Sequence, residues 1–350
     1  MIYLVSQDWI NTSNNHAGMK YLCNKLQEMY PEFYRAYSIP CFACDEILSK
    51  NRVVRKLQLW YARYQAKKYS DKIAKELSVV LKKGDVVFLT EYLERLSPMK
   101  YIVDKIRFFK PDTVFWAIVH LVPAKLEKSY PKDDEICRWM ENITRVFTFG
   151  QTLSDYLSLR GVPQNKIKTS FHYVDDYYLS EVGTRNSSQI KVIAMGNQMR
   201  NQKLLHEIVR ANPNVHFTIC QGVENMESIF KDLDNVTLIP FVPEPELRLY
   251  MEHSDVSLNV MQDTIGSNVI VTSLAMGLAM VCSDVGSIRD YCDEENTIFC
   301  DNSSVESFSR AIKCLSSNGS LLMKMKVAAQ KRSLSFSIEK FHLALMNMEW

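Results

Sequence analysis

The chain predicts an α/β fold of two domains, each a parallel sheet layered with helices. Three observations carry this. At 350 residues it exceeds what one core ordinarily serves, and two domains are the default. Short apolar runs alternate with helical periodicity along the whole length, the pattern of parallel α/β layers. A polar stretch rich in Ser and Asn, "SEVGTRNSSQ" (180–189), interrupts the alternation once and reads as a linker. The expected domains are 1–183 and 184–335, with a last helix, 336–350, placed to pack back onto the first.

In the first half "MIYLVS" reads as a strand, followed by the polar loop "QDWINTSNN" and a helix over His16–Met29. Further strands fall at Asp85–Thr90, Thr113–His120 and Arg145–Gly150. The last leads into helix "QTLSDYLSLRG", where Gly161 is the expected stop. In the second half "IKVIAMG", "VHFTICQG", "VTLIPFV" and "DVSLNVM" are strands. Helices "NQKLLHEIVRAN", "MESIFKDL" and "EPELRLYMEH" separate them. The stretch Asp263–Tyr291 adds a helix and a strand, and three more helices close the chain. Two such domains imply a cleft, and ligands of open parallel sheets sit at the carboxyl ends of the strands.

Apolar residues at 47% and charged residues at 23% are a soluble globular profile. No apolar stretch approaches the roughly 18–20 residues that cross a bilayer. "MIYLVSQDWI" lacks the basic start of a secretory signal. Nine cysteines, an odd number mostly in apolar surroundings, suit a reducing cytoplasm better than a disulfide framework. "CFAC" (Cys41, Cys44) has no second ligand pair at zinc spacing and reads as two small thiols.

The net charge of +2 conceals an asymmetry. Residues 1–185 hold 28 Lys/Arg against 21 Asp/Glu, and residues 186–350 hold 14 against 19, which hints at different partners for the two halves. Eleven basic residues lie between Lys50 and Lys83, opposed only by Asp71 and Glu76, with Leu57, Leu59, Trp60, Tyr61 and Tyr64 interleaved. This stretch is either a solvated helical face or a basic amphipathic helix resting on an anionic membrane surface. No nucleic-acid partner is expected, since no matching motif occurs.

Gly266, Ser267 and Asn268 precede the apolar run "VIVTSLAM", and Gly277 follows it; these are the bookends of a helix. Its first turn would offer unpaired N–H groups and a positive dipole end. Gly266 would let a ligand approach closely, so an anion, a phosphate above all, fits there. The alternative is an ordinary capped helix. Arg200 and Lys203, just past the strand "KVIAMG", would face the same cleft and neutralise a pyrophosphate.

These stretches together resemble the nucleotide-sugar domain of family 4 glycosyltransferases, of GT-B fold. The resemblance rests on "MGNQMRNQK", "NVTLIPFVPEPELRLYMEHSDVSLNV" and "DTIGSNVIVTSLAMGLAMVCSDVGSIRDY", in that order. "ITRVFTFGQTLSDYLSLRGVPQNKIKTSFHYVDDYY" is similar to the run that ends the family's N-terminal domain. The match covers residues 145–300 well and 1–144 loosely. It implies two Rossmann-like domains facing across a cleft, and transfer of a sugar from a nucleotide diphosphate sugar to a glycan or lipid-linked glycan. It further implies retention at the anomeric carbon, with no metal or other cofactor. A role in cell-surface polysaccharide assembly, peripheral to the inner face of the membrane, is the matching expectation.

The resemblance also implies roles. Lys203 would contact the diphosphate, with Arg200 or Asn197 replacing the family's usual Arg after Gly196. The backbone at Val242 would meet the base. Asp263, with Thr264 and Ile265 after it, stands near the first Glu of the family's E-x7-E, which contacts the donor sugar. Thr272 stands where the second Glu binds ribose, a departure that also adds one residue between Asp263 and Gly277. His120 resembles the family's histidine beside the reacting sugar, as a neutral imidazole. Gly18 keeps one glycine of the loop that approaches the donor phosphates, with His16 and Lys20 beside it and Glu91 on the acceptor side.

Two other readings stay open. A sugar-nucleotide epimerase of the same fold would react without an acceptor. A non-catalytic relative would bind nucleotide sugar without turnover. A nicotinamide dehydrogenase is not expected, because no G-x-G-x-x-G follows a strand.

Overall fold

The computed structural model describes residues 1–9, 15–43, 48–95, 97–182, 189–222 and 225–347. The chain divides into two compact units, Met1–Ser170 and Phe171–Asn347.

The first unit runs β1 (Ile2–Asp8), α1 (Met19–Met29), β2 (Tyr34–Pro40), α2 (Arg52–Val80), β3 (Val86–Leu89) and α3 (Met99–Phe109). It continues with β4 (Val114–Val119), α4 (Pro123–Ser129), α5 (Asp133–Met140), β5 (Arg145–Thr148), α6 (Gln151–Leu159) and β6 (Ile167–Thr169). All strand pairs are parallel, in the order β2-β1-β3-β4-β5-β6. The central strands are near-continuous apolar runs because helices cover both faces: Val87, Phe88 and Leu89, and Phe115 to Val119, are all buried. The strand β2 was not expected from "YRAYSIP". It is an edge strand, where Arg35 and Ser38 stay exposed while Tyr34 and Ile39 are buried, and Pro40 closes it where an edge tolerates proline. The helix expected from His16 begins at Met19, with Gly18 as its N-cap.

The second unit runs β7 (Lys191–Ala194), α7 (Gln202–Ala211), β8 (His216–Gly222), α8 (Glu227–Phe230), β9 (Val236–Pro240), α9 (Glu244–Glu252) and β10 (Val256–Asn259). Then come α10 (Asn268–Ala275), β11 (Ala279–Ser283), α11 (Ile288–Tyr291), β12 (Thr297–Cys300), α12 (Val305–Ser317), α13 (Gly319–Ser333) and α14 (Ile338–Asn347). Its strands are also all parallel, in the order β12-β11-β10-β7-β8-β9. Successive side chains of a strand point to opposite faces, so Val192 and Ala194 join one core cluster while Ile193 and Met195 join the other.

The unit boundary falls before the expected 183/184, and the reason is local. Val174 N–H donates to the Phe336 carbonyl at 2.8 Å, and Val174 bridges Ser337 in parallel. The Phe171 ring packs on Phe336 and Phe341, and Ser180 Oγ bonds the Met276 carbonyl at 3.2 Å. These contacts stitch residues 171–182 and α14 into the second unit. Much of the expected linker, 183–188, and the chain end, 348–350, lie outside the described residues. So does Cys44 of the CxxC pair; Cys41 Sγ donates to the Ala43 carbonyl at 3.5 Å.

Candidate active site

Where consecutive strands leave a central strand in opposite directions, the loops at their carboxyl ends part and open a crevice. In the second unit this switch point lies between β7 and β10: β8 and β9 extend one way, β11 and β12 the other. Two loops meet there. Met199, in the left-handed region at φ 57°, turns the β7–α7 loop so that its carbonyl accepts Gln262 N–H at 2.7 Å. Asn201 N–H donates to the Val260 carbonyl at 2.9 Å, and Arg200 and Met261 form an antiparallel bridge. Helices α7 and α10 therefore start from neighbouring strands, with their positive ends at the same edge of the sheet.

The expected anion corner has a firm build. Gly266 is at φ +88°, and a Cβ there would lie 2.1 Å from the Tyr291 ring. The glycine is required by that ring and by its left-handed backbone, not by a ligand approaching its Cα, which corrects the expectation. The Tyr291 hydroxyl accepts His172 N–H at 2.7 Å. Across the loop, a Cβ at Gly286 would meet the Thr264 carbonyl at 2.2 Å, and that carbonyl accepts Ser287 N–H at 2.7 Å. Ile265 is buried. The Gly266 N–H is turned to Thr264 Oγ1 at 3.3 Å. Ser267 is the N-cap of α10 without a side-chain cap bond, and the N–H groups of Ser267 and Asn268 have no acceptor among the described residues. Two of the three expected donors are thus free for an anion.

Gly196, at φ +77°, lets the β7 loop press against α10, where a Cβ would touch Val269 at 3.0 Å. Asn197 Nδ2 donates to the Gln221 carbonyl at 2.7 Å, while its Oδ1 is buried without a partner among the described residues. Asp263 is half-buried, and burial raises its pKa against the lowering effect of Thr264 N–H, which donates to Oδ1 at 2.8 Å. Lys203 lies in the first turn of α7 with its side chain 88% exposed, 4.0 Å from Glu207. Val242 sits just past β9, two strands from the switch point, partly buried against the core.

Two expected roles are corrected by geometry. The Arg200 guanidinium turns inward and donates to the carbonyls of Cys220 at 3.1 Å and Ala194 at 3.5 Å, at the ends of β8 and β7. It braces the sheet edge, so Lys203 is the mobile cation of the pair. The Thr272 hydroxyl is buried and donates to the Asn268 carbonyl within α10 at 2.6 Å, which ties it to its own helix and leaves only lone pairs in place of a ribose-binding carboxylate. Asp232 of the "DLD" turn is held by His206 and Arg210 at the surface. Among the described residues no three of His, Cys, Asp and Glu gather as a metal site.

The first unit has its own switch point, between β1 and β3; Glu91 and His120 follow the ends of β3 and β4, while His16, Gly18 and Lys20 lie at the start of α1. Glu91 is buried beyond β3; its Oε2 accepts Gln7 N–H at 3.0 Å and the Thr90 hydroxyl. Burial pushes its pKa up to about 8, against those two bonds, so it holds a proton at neutral pH. His120 ends β4, and burial lowers its pKa to about 4, opposed by a backbone hydrogen bond to Thr90; the ring is neutral. Four atoms here are buried without a partner among the described residues: Gln7 Oε1, Asp8 Oδ1, Glu91 Oε1 and His120 Nδ1. Lys20 binds Asp8 at 2.7 Å, His16 packs on Tyr21, and Gly18 caps α1. Gln7 and Asp8 were missed in sequence. Their signal was two polar residues directly ending an apolar strand.

Residues 185–318 match the family model described as Glycosyl transferases group 1. Over that segment the chain is similar to group 1 glycosyltransferases. It is a transferase enzyme, and its paired six-stranded sheets are those of the GT-B fold. Sucrose-phosphate synthase from Thermosynechococcus elongatus superposes with a TM-score of 0.74 at 11% identity, covering 99% of this chain and 98% of the other. HepE from Anabaena, in complex with UDP and glucose, superposes at 0.72 and 10%, covering 99% of each. A glycosyltransferase from Rickettsia africae gives 0.70 and 12%, over 98% and 97%. No curated protein matches the chain. Among the described residues no helix of this glycosyltransferase is long and apolar enough to cross a membrane.

Proposed function

We propose that the protein moves a sugar, with retention, from a nucleotide diphosphate sugar to a lipid-linked or free glycan in cell-surface polysaccharide assembly. The observation that carries the reading is the pair of free N–H groups, Ser267 and Asn268, at the start of α10 on the β7–β10 switch point. Cleaving the bond between sugar and diphosphate leaves negative charge on the leaving oxygens. Fixed N–H dipoles in a braced loop stabilise that charge without reorganising, and Lys203 adds a cation. These groups do the work without a metal. Asp263 contacts the donor sugar, and neutral His120 offers a hydrogen bond without adding charge beside the reacting centre. Front-face departure and attack suits retention here, as no carboxylate is assigned as nucleophile. HepE's complex with UDP and glucose puts UDP-hexoses first among donors.

The first half of α2 supports a lipid-linked acceptor. Val53, Leu57, Trp60, Tyr61 and Tyr64 recur along one helical stripe and are all exposed, beside Arg52, Arg55, Lys56, Arg63 and Lys67. An apolar stripe edged by cations binds anionic bilayers at their interface, which would hold the enzyme at the cytoplasmic face of the membrane.

A thermal-shift screen of UDP, GDP and their sugars tests the donor site. A ligand at 100 times its dissociation constant adds about 2.7 kcal/mol, and the shift should vanish in Lys203→Ala combined with Ser267→Pro, which removes one N–H. Incubation with labelled donor alone separates transfer from epimerisation: an isomerised sugar without acceptor would overturn the assignment.

A further inference from the structure

The first unit holds a cavity of about 190 Å³ between the inner face of α2 and the carboxyl edge of β1 and β2. Its walls are mainly apolar, from Phe42, Leu59, Ala66 and Tyr101 among others. Three cations, Arg63, Lys67 and Arg95, line it, and among the described residues no acidic side chain does. Arg63 and Lys67 are one helical turn apart. Lys67 Nζ rides 5.8 Å over the Tyr101 ring, and the Arg95 guanidinium lies 5.3 Å over Tyr130. Asp71, one further turn along α2, is already engaged by the Tyr101 hydroxyl at 2.8 Å and Lys105 at 3.4 Å. Asp71 also feels the Lys67 charge and offsets part of it, yet among the described lining residues the cations have no acidic counterpart. Gln7 reaches the same cavity; it is 3% exposed, and its Oε1 has no partner among the described residues. A buried acceptor of this kind draws a donor from whatever fills the space.

Resting on the reading of a lipid-linked acceptor, we propose that this cavity seats the phosphate and adjoining carbons of an amphiphilic acceptor. The cations take the phosphate, the aromatic and aliphatic walls take the carbons, and Gln7 Oε1 accepts from a hydroxyl or P–OH. The volume equals that of about six waters. That is room for a headgroup and the start of a chain, not for a whole glycan.

Isothermal titration of the full chain with decyl phosphate, below its micelle concentration, tests this. Decyl maltoside and inorganic phosphate serve as comparators. Decyl phosphate should bind, and Arg63→Glu with Lys67→Glu should weaken it by about a hundredfold. Ala66→Phe, which fills the cavity without changing charge, should abolish it. UDP affinity should match the parent in both variants, which also reports that they fold. Equal binding of decyl maltoside, or of inorganic phosphate, would overturn the amphiphile. Undiminished binding in the exposed charge-reversal variant would overturn the site. Vesicles of phosphatidylglycerol and phosphatidylcholine should bind Ala66→Phe as well as the parent; their loss would mean that cavity and membrane face are one surface, which sinks a separate site. UDP binding without decyl phosphate binding defeats the cavity alone. The converse pattern defeats the glycosyltransferase donor site and spares the cavity.

Discussion

At the β7–β10 junction the loops are hydrogen-bonded to one another before any ligand arrives, whereas at the β1–β3 junction four polar atoms are buried without a partner among the described residues. Both sheets are all parallel, and although their strand orders differ, the switch point lies beside the first strand of each unit. Under the proposed function, the difference fits one architecture to two tasks. A corner that must stabilise developing charge gains from donors already fixed in place, and Arg200, Gly266, Gly286 and Tyr291 fix them. A surface that recognises a neutral, hydroxyl-rich molecule gains from groups that stay uncharged and unsatisfied until it arrives. Protonated Glu91 and neutral His120 have that character.

The comparison breaks first at Gly266. Gly266→Ala puts a methyl into the Tyr291 ring on a left-handed backbone, and calorimetry should read a loss of about 3 kcal/mol together with loss of UDP binding. Tyr291→Phe keeps the ring and gives up the hydroxyl's bond to His172 N–H, so it should cost much less; equal costs would mean the ring is not the constraint. Next, Arg200→Met should lower stability by about 2–3 kcal/mol by stranding the Cys220 and Ala194 carbonyls. If it leaves the melting temperature untouched and removes only donor affinity, Arg200 belongs with the ligand and not with the sheet.

The first unit is probed by pH. Glu91 keeps its proton up to about pH 8 when folded and loses it near 4.5 when unfolded. Folding therefore takes up a proton between those values, and stability falls as pH rises through them. Buried His120 works in the opposite sense, between its folded pKa of about 4 and an unfolded value of about 6.5, where stability rises with pH. The two slopes oppose each other at acid pH, and only the Glu91 slope remains above neutrality. Denaturant titrations should show a drop of about 2 kcal/mol from roughly pH 6.5 to 8, and Glu91→Gln should flatten it. A parent curve flat over that range would show Glu91 ionised in the fold. The smallest effect on stability is expected from Lys203→Ala, within about 0.5 kcal/mol since the side chain is exposed, yet UDP affinity should fall by about tenfold.

Alternation of apolar runs and helical periodicity made the two sheets legible, because central parallel strands must be apolar on both faces. Edge strands carry no such requirement, which is why "YRAYSIP" passed unread. Gly266 was legible as a position that only glycine fills, but the reason was not. Tyr291 is its neighbour only because β11 and α11 return the chain there. Arg200 and Lys203 are indistinguishable as cations after a strand; what separates them is that one follows a left-handed residue, Met199, that turns it under the sheet edge. Thr272 could be placed by counting, but not its hydroxyl, since a threonine within a helix can bond its own preceding turn. The buried atoms of Gln7 and Glu91 follow from strand order, which no local stretch encodes.

The ladder joining Met199–Asn201 to Val260–Gln262 has a bearing on redesign. Those two segments behave as one clasp, so a chimera that imports either from a relative inherits half a fastening and should fold poorly. Under the proposed base contact at Val242, specificity for a different base is better sought just beyond β9, outside that clasp.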